Sequence, residues 1–590
     1  LEIGRQKRPN LYDMFAEKPK TLVSRDKRLE VDERIRHDGS VETPLTPEKI
    51  EELVEEIRAH PHNAIAVCLL YGYRNSAHEK ALGKRLRDEF GTSFVSLSHE
   101  VAPEFREFER MTTTVVNAFL GPTMQRYIER LAKRLGDAGL NIAPNLTQSN
   151  GGVIGFDAAQ TFPVKTLLSG PSTGVIAAGK IAQSAGFDDI ITFDVGGTSS
   201  DVALLKDGVC NRTGEADVHG YPIKAPMLDI HTVGAGGGSI AYVDTGGLLK
   251  VGPKSAGADP GPVCYGRGGR APTVTDANIV LQTLNPEAIL GGRMKVRRDL
   301  AVSAIQTLAD KLGLSLQETA QGILVVATAN MAKAIRVISV QRGYDPRDYA
   351  LMAFGGGGPL HAARLAKELD MARVIVPTTP GALCALGLLM TDLLADFAQS
   401  VSTTLVPEAL EEIENTYRWL EEKAGEWFVA EGVDPELQVT HRTVDLRYAG
   451  QNYELSIAFP TAEQGTCSLS ELRERFDLAH KQRFGFSVDG ETIEIVTLRV
   501  GAAGLVKKAE LPKSTSARTG VPTRKGTRSV WLPEAGGEVE CPIYDRDALH
   551  FGHAVKGPAI VEQMDTTTLI LPDMTAQVDA YRNLVLEFDQ

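Results

Sequence analysis

The chain has 590 residues, 43% hydrophobic and 24% charged, an ordinary globular balance. At roughly 100–200 residues per domain, that length allows about three to five domains. A formal net charge of −13 argues against a protein that coats nucleic acid, which would carry a basic face. The six cysteines, Cys68, Cys210, Cys264, Cys384, Cys467 and Cys541, include no C-x-x-C pair. Neither a metal knuckle nor a disulfide scaffold is expected, and scattered cysteines suit a reducing, cytoplasmic setting. No run reaches the ~18 apolar residues of a membrane span, and the start carries no signal peptide. Leu1-Glu2-Ile3-Gly4-Arg5-Gln6 reads like mid-domain sequence, so a start upstream is expected.

In chain order, residues 47–58 and 76–90 carry helical spacing and flank an apolar run, Ala64–Tyr71, that reads as a buried strand. A strand over Thr92–Ser98 and a long helix over Met111–Leu135 complete an α/β block, residues 1–144. A second block, 145–400, is rich in glycine turns between apolar strands. Gly170-Pro171 opens a helix to about Ala185, and Asp189–Val195 and Val202–Leu205 read as strands. Residues 232–270 hold many glycines and prolines and few periodic signals, and read as a long loop region. Glu318–Arg342 is one strong helix stopped by Gly343 and Pro346. Strand Tyr349–Phe354, helix Leu360–Leu369 and strand Val374–Val376 follow. The last block, 401–590, opens on a Glu-rich helix, 407–430. It continues with paired strands Val439–Tyr448 and Tyr453–Phe459, helix Leu469–Phe484 and strand Ile493–Val500. A polar linker, Ser514–Thr527, then leads to a small β module.

Two local patterns carry chemistry. The first is Ile190-Ile191-Thr192-Phe193-Asp194-Val195-Gly196-Gly197-Thr198-Ser199-Ser200-Asp201-Val202, a strand, a tight turn and a strand. Paired glycines let backbone N–H groups approach a phosphate. Thr198 and Ser199 add hydroxyls, and Asp194 and Asp201 are placed to hold Mg²⁺ directly or through water. The Gly-Lys-Ser/Thr ending of a P-loop is absent and a strand follows, not a helix. An ordinary hairpin turn uses the same residue types. The second pattern, Phe354-Gly355-Gly356-Gly357-Gly358-Pro359-Leu360, runs from strand into helix. Four glycines cost backbone entropy, which suits close approach of a purine and ribose. Leu360 stands where a dinucleotide fingerprint wants its last glycine, and a tight strand-to-helix turn remains the plain alternative.

Together, the aspartate–glycine hairpin and the downstream strand–glycine–helix element resemble the actin-like, sugar-kinase-like ATPase fold, two α/β lobes with a nucleotide between them. That fold uses two phosphate hairpins. The sequence has one, so the first is expected upstream.

The chain is similar to hydantoinase A, the ATP-binding half of 5-oxoprolinase and N-methylhydantoinase, and to one subunit of acetone and acetophenone carboxylases. The likeness runs nearly end to end. It rests on Glu107-Phe108-Glu109-Arg110-Met111-Thr112-Thr113, Gln148-Ser149-Asn150-Gly151-Gly152 and Leu168-Ser169-Gly170-Pro171-Ser172-Thr173-Gly174. It continues through His231–Ala241, Ser255–Pro262 and Arg342–Asp348 to Gly557–Glu562 and Asp565-Thr566-Thr567-Thr568. The resemblance implies an actin-like α/β ATPase core with a C-terminal α+β domain, using ATP and Mg²⁺ to activate the carbonyl of a cyclic amide. It also implies a separate hydantoinase B-like subunit; the acidic charge and the lack of a long apolar run lead to neither nucleic acid nor membrane being expected as partner.

The residues expected to act are Asp194 and His231 in catalysis and Asp194 and Asp201 at the metal. Gly196, Gly197, Thr198, Ser199 and Gly355, Gly356, Gly357, Gly358 are expected at the nucleotide. His231 is chosen because it precedes the run Gly234–Ser239. Asp259, Glu107, Glu109, Arg110, Arg336 and Arg342 are weaker candidates; Asp-Pro-Gly is a common turn, and charges at helix ends are commonly solvated or structurally paired. Two rival readings stay open: a ketone carboxylase subunit, and a non-catalytic actin-like nucleotide-binding module.

Overall fold

The computed structural model describes residues 1–5, 14–140, 144–218, 220–459 and 469–589; Cys467 lies outside the described residues. The chain opens with α1 (Pro47–Arg58), β1 (Ala64–Val67), α2 (Ala77–Glu89) and β2 (Phe94–Leu97). α1 carries Pro47 in its first turn and buries Ile50, Leu53, Val54 and Ile57, the i, i+3, i+4, i+7 stripe of an amphipathic helix. β1 pairs in parallel with β2. β1 is shorter than the apolar run 64–71 because the chain turns after it. The Leu69 N–H goes to Glu79 (2.8 Å), and Tyr71 takes a positive φ of 57°.

α3 (Glu107–Asp137) is longer than expected at both ends and carries Pro122 inside it. Next come β3 (Asn145–Thr147), β4 (Val153–Gly155), α4 (Ser169–Ser184), β5 (Ile190–Val195), β6 (Ser200–Lys206) and β7 (Ile230–Val233). Residues 232–270, expected to be loop, contain β8 (Ser239–Val243) and β9 (Leu249–Ser255), an antiparallel pair. Their period-2 signal is short and hidden among the glycines and prolines that turn the chain between strands.

α5 (Leu316–Ile338) begins at a capping box formed by Ser315 and Glu318. It is apolar and long enough, on length and composition alone, to cross a membrane. Its buried positions, including Ile323, Leu324, Ala327, Met331, Ile335 and Ile338, serve the interior of the fold. β10 (Ala350–Phe354), α6 (Gly358–Glu368) and β11 (Arg373–Val376) follow. Then come β12 (Leu393–Thr404), α7 (Leu410–Ala430), β13 (Gln438–Tyr448), β14 (Leu455–Phe459), α8 (Leu469–Phe484) and β15 (Ile493–Gly504). The chain closes with β16 (Arg524–Leu532), β17 (Gly537–Asp545), β18 (Ala554–Lys556), β19 (Ala559–Glu562), β20 (Thr567–Ile570), β21 (Met574–Val578) and β22 (Leu584–Phe588).

The fold is mixed α/β and divides into two compact units, each assembled from three stretches. The first comprises Leu1–Ser169, Arg212–Met227 and Asp392–Lys507. Its main sheet has six strands in the order β14-β13-β15-β12-β4-β3. α7 buries Ile413, Tyr417, Leu420, Ala424 and Phe428 in the same core as Val444, Leu446, Leu498 and Val500 of that sheet.

The second unit comprises Gly170–Asn211, Leu228–Thr391 and Lys508–Gln590. Its main sheet runs β7-β6-β5-β10-β11-β22-β21-β18, with one further short strand beside β6. β5, β10 and β11 are parallel, and β22 returns antiparallel along β11. Side chains alternate between the two faces of a strand. Ile191, Phe193 and Val195 enter a core shared with α5 and α6. Ile190, Ala203 and Phe354 enter another with Val175, Ala178 and Ile181 of α4. The block 401–590, expected to be one C-terminal domain, therefore contributes residues 401–507 to the first unit and 508–590 to the second. The physical reason is pairing: β12 and β13 both bond to β15, while β22 extends the sheet of β11.

Candidate active site

The site is built from the end of the β5–β6 hairpin. Asp194 and Asp201 are directly opposed across the antiparallel pair, and Thr232 on β7 stands opposite Asp201 on its other side. Cross-strand partners share a face, so Asp194, Asp201 and Thr232 form one row across three strands. The Thr232 hydroxyl donates to Asp201 Oδ1 at 2.5 Å, and the Cys384 thiol donates to Asp194 Oδ2 at 3.5 Å. Among the described residues neither carboxylate makes an ion pair.

That leaves two like charges together with no compensating cation. Burial pushes Asp194 up to about 6 and Asp201 beside it adds to the shift, with the Cys384 thiol acting weakly against it. Asp201 is also raised by burial, against the pull of Thr232. The Cys384 thiol is pushed up to about 12 by burial and by Asp194, so it remains a thiol and a donor. A divalent cation would remove the mutual repulsion of the aspartates. Two carboxylates, with water and phosphate oxygens completing the shell, is a usual way to hold Mg²⁺. No group of three or more His, Cys, Asp or Glu side chains with metal-binding placement occurs among the described residues. The donor set thus fits a nucleotide-borne ion better than a protein-caged one.

Glycine lets three backbone segments meet at this row. Gly196, Gly197 and Thr198, at the hairpin turn, are exposed. The run Gly234–Gly238 packs on that turn: the Gly237 N–H bonds to Gly196 O at 3.1 Å, and the Gly238 N–H to Gly197 O at 2.6 Å. A Cβ on Gly236 would lie 2.8 Å from Gly196 O. From the other side comes Gly355, with φ of +76°, where a Cβ would sit 2.2 Å from Asp194 Oδ1. The Gly357 N–H bonds to Val195 O at 2.9 Å. The two glycine patterns, 158 residues apart between Gly197 and Gly355, therefore adjoin one carboxylate.

Sequence reasoning missed the residues that brace this arrangement. The Thr566 hydroxyl donates to Gly356 O at 2.9 Å, and Asp565 Oδ2 accepts the Gly381 N–H at 2.7 Å. Gln563 in turn donates to Asp565 Oδ1 at 2.6 Å. Asp565-Thr566 was visible as part of a family-like motif, but nothing in the sequence placed it beside Gly356. Cys384 gave no signal at all.

His231 is not brought to the carboxylates. It pairs across to Val202, which pairs to Phe193, so it belongs to the row on the opposite face of the sheet. The cause is strand parity: the glycine run begins at Gly234, but β7 already covers His231, and one residue's shift along a strand changes face. Asp259 is exposed. Glu107 is also exposed, and Glu109 is paired with Arg5 at 2.6 Å. Arg110, 1% exposed, is spent on Ser98 Oγ (2.7 Å) and Leu69 O (2.6 Å). Arg336 pairs with Glu368 at 3.5 Å, and Arg342 with Asp229. Glu109, Arg110, Arg336 and Arg342 are thus engaged by other protein groups.

Comparison with known proteins covers the chain almost throughout. The hydantoinase/oxoprolinase N-terminal region matches residues 1–90, the hydantoinase/oxoprolinase domain residues 110–397, and the C-terminal domain of the same family residues 401–588. The chain belongs to the hydantoinase/oxoprolinase family. Among its relatives, the caprolactamase alpha subunit of Pseudomonas jessenii is 34% identical over 98% of this chain and 84% of its own length. The crystal structure of the ATP-dependent caprolactamase from that organism superposes with a TM-score of 0.88 at 33% identity, covering 100% of this chain and 86% of the other. The acetophenone carboxylase gamma subunit of Aromatoleum aromaticum is 32% identical over 97% of this chain and 80% of its own. 5-Oxoprolinase 1 of Arabidopsis thaliana is 30% identical over 100% of this chain, which spans 48% of that longer protein. Within the hydantoinase/oxoprolinase family, then, this chain is similar both to ring-opening enzymes and to a carboxylase subunit.

Proposed function

We propose that this chain is the ATP-using subunit of an enzyme that opens cyclic amides, acting in the cytoplasm with a hydantoinase B-like partner. The observation that carries this reading is the uncompensated Asp194–Asp201 pair against which Gly355 packs, beside the exposed Gly196–Gly197 turn. In an actin-like ATPase reading, the Gly196 N–H closes the turn on Ser199 O at 3.1 Å, the N–H groups of Gly197, Thr198 and Ser199 and the hydroxyls of Thr198 and Ser199 take phosphate oxygens, and Gly355–Gly358 admit the adenosine. Asp194 and Asp201 would hold Mg²⁺, which would supply neutralisation of the phosphate charge. An amide oxygen is a poor leaving group. Once it takes the γ-phosphoryl group and ADP departs, one water adds to the carbon and the ring C–N bond breaks, the nitrogen leaving as an amine on an acyl phosphate; a second water then hydrolyses that acyl phosphate to carboxylate and free phosphate. The residues of this chain position the phosphates and hold Asp194 in place through the Cys384 thiol and the bare backbone of Gly355.

A second reading, a ketone carboxylase subunit, is favoured by the 32% identity to the acetophenone carboxylase gamma subunit. Substrate profiling with the partner subunit present separates them. Cyclic-amide-stimulated ATP hydrolysis supports ring opening; stimulation by ketone plus bicarbonate alone overturns it. A non-catalytic nucleotide-binding module would give neither stimulation, while still binding nucleotide.

A further inference from the structure

The motif Gln148–Gly152 plays no part in the nucleotide site. It is the loop between β3 and β4 in the first unit, and it organises a second polar cluster there. Asn150, 3% exposed, donates through Nδ2 to Asp396 Oδ2 at 2.7 Å. The neighbouring Ser149 bonds to Lys165 O from its N–H (2.8 Å) and its hydroxyl (2.9 Å). One loop therefore fixes both the backbone of Lys165 and the carboxylate of Asp396.

The other wall is a cross-strand row. Asp396 on β12 and His441 on β13 are both in register with Gly501 on β15, which lies between them. With no side chain in the middle, the imidazole lies over the glycine: a Cβ at Gly501 would fall 2.1 Å from His441 Cε1.

Lys165 is the unusual member. Its ammonium lies 5.0 Å from the Phe162 ring centroid, yet among the described residues it makes no hydrogen bond and no ion pair. Burial lowers its pKa, with Asp396 as the charge acting against the shift. Desolvation where the ring packs over Gly501, and the Arg212 charge, likewise lower His441, again against Asp396. Asp396 and Lys165 feel each other but do not close into a pair. Asp396 Oδ1 accepts no hydrogen bond from the described residues. The cluster thus contains one ammonium without a hydrogen-bond partner and one carboxylate oxygen that accepts none, and the two form no ion pair with each other among the described residues.

A small cyclic amide complements that pattern. Its ring forces the amide to be cis, so the C=O and N–H lie along one edge, an acceptor beside a donor. We propose that Lys165 and Asp396 form a recognition site for this edge: the Lys165 ammonium donates to the ring carbonyl and Asp396 Oδ1 accepts from the ring N–H. The site deepens the proposed function and rests on it for the substrate class. It also separates that substrate from a ketone, which has no N–H for Asp396.

The test uses the full chain and three six-membered probes, 2-piperidone, N-methyl-2-piperidone and cyclohexanone, titrated by ligand-observed NMR. 2-Piperidone should bind at least about tenfold more tightly than the other two, the cost of one charge-assisted hydrogen bond. Lys165→Met and Asp396→Ala should each weaken 2-piperidone roughly ten- to hundredfold and leave Mg²⁺-nucleotide binding unchanged. Equal binding of the three probes by the unmodified protein overturns the site, whether or not the variants fold. So does 2-piperidone binding that survives both variants. Lactam-stimulated ATP hydrolysis with the partner present, with KM for the lactam untouched by Lys165→Met, overturns the site and leaves the function standing. Lactam binding that both variants abolish, in a complex that shows no stimulated hydrolysis, keeps the site and overturns the function.

Discussion

Glu104 in the first unit and Asp194 in the second are both carboxylates taken largely out of water, and their surroundings answer that cost in opposite ways. Glu104 lies 3.2 Å from Lys224 and 2.8 Å from Arg499, and Arg499 reaches on to Asp445 at 2.8 Å. Burial pushes Glu104 up, but Arg499 and Lys224 more than offset it and hold the carboxyl at about 2. Asp194 has burial and a second aspartate acting in the same direction, and it rises to about 6. A compensated buried charge is a structural fastening. An uncompensated pair of raised carboxylates beside exposed glycine turns is the arrangement expected of a site rather than of a fastening.

The sharpest way to break this comparison is to neutralise each carboxylate. Asp194→Asn should leave the fold intact and reduce Mg²⁺-dependent ATP hydrolysis by the complex on the order of a hundredfold or more, since an amide supplies no charge to the ion. Steady-state turnover checks this; wild-type rates would mean that Asp194 only shapes the turn. Glu104→Gln should do the reverse. It leaves Lys224 and Arg499 short of an anion and should cost about 3–5 kcal/mol of stability, read by denaturant unfolding, with Mg²⁺-nucleotide affinity retained in the protein that remains folded.

The same contrast has a pH signature of opposite sign. Glu104 goes from an ordinary 4.5 when unfolded to about 2 when folded. Its contribution is therefore complete above about pH 4.5 and lost as pH falls toward 2. Asp194 goes from 3.8 to about 6. The folded state then binds the extra proton, so this group's contribution is present below about pH 4 and lost as pH rises through 6. Thermal melts without Mg²⁺ should show that decline between pH 4 and 6 (approximate bounds from the same linkage). Added Mg²⁺ should raise the melting temperature mainly above pH 6, and Asp194→Asn should remove both effects. An Mg²⁺ shift of equal size at pH 4.5 and 7.5 would place the ion elsewhere.

What the sequence made legible follows from the range of the interactions. Hairpin and glycine turn are encoded within a dozen residues each, by apolar runs and by glycines where backbones must touch, so Asp194, Asp201 and Gly355–Gly358 were readable. Their convergence depends on β5 and β10 being parallel neighbours, aligned Asp194 to Phe354, which no local pattern states. Cys384 and Thr566 lie further still, at positions whose only signal is the folded contact. The fold's division was hidden for the same reason: β22 extends the sheet of β11 from the far end of the chain. The strands within 232–270 were lost because short alternation cannot be heard among turn residues.

The smallest predicted effect tests the parity of one strand. His231 and Thr232 are neighbours in β7, and the sequence favoured the histidine because imidazole is the more versatile catalytic group. The register gives the position to the threonine: Thr232 faces Asp201, while His231 faces Val202. Burial lowers the His231 pKa with no charged partner contributing, so the ring is a neutral, half-buried group on the far face of the sheet. Thr232→Val keeps shape and β-propensity but deletes the hydroxyl that donates to Asp201 at 2.5 Å. It should weaken Mg²⁺-nucleotide binding several-fold, up to about tenfold. His231→Gln should change it by no more than about twofold, since a solvent-adjacent polar swap away from the ligand stays within ±0.5 kcal/mol. Calorimetric titration of Mg²⁺-ATP into both variants reads the difference directly. A larger loss in His231→Gln than in Thr232→Val would reverse the facing of β7, and with it the row of side chains on which the proposed metal site is built.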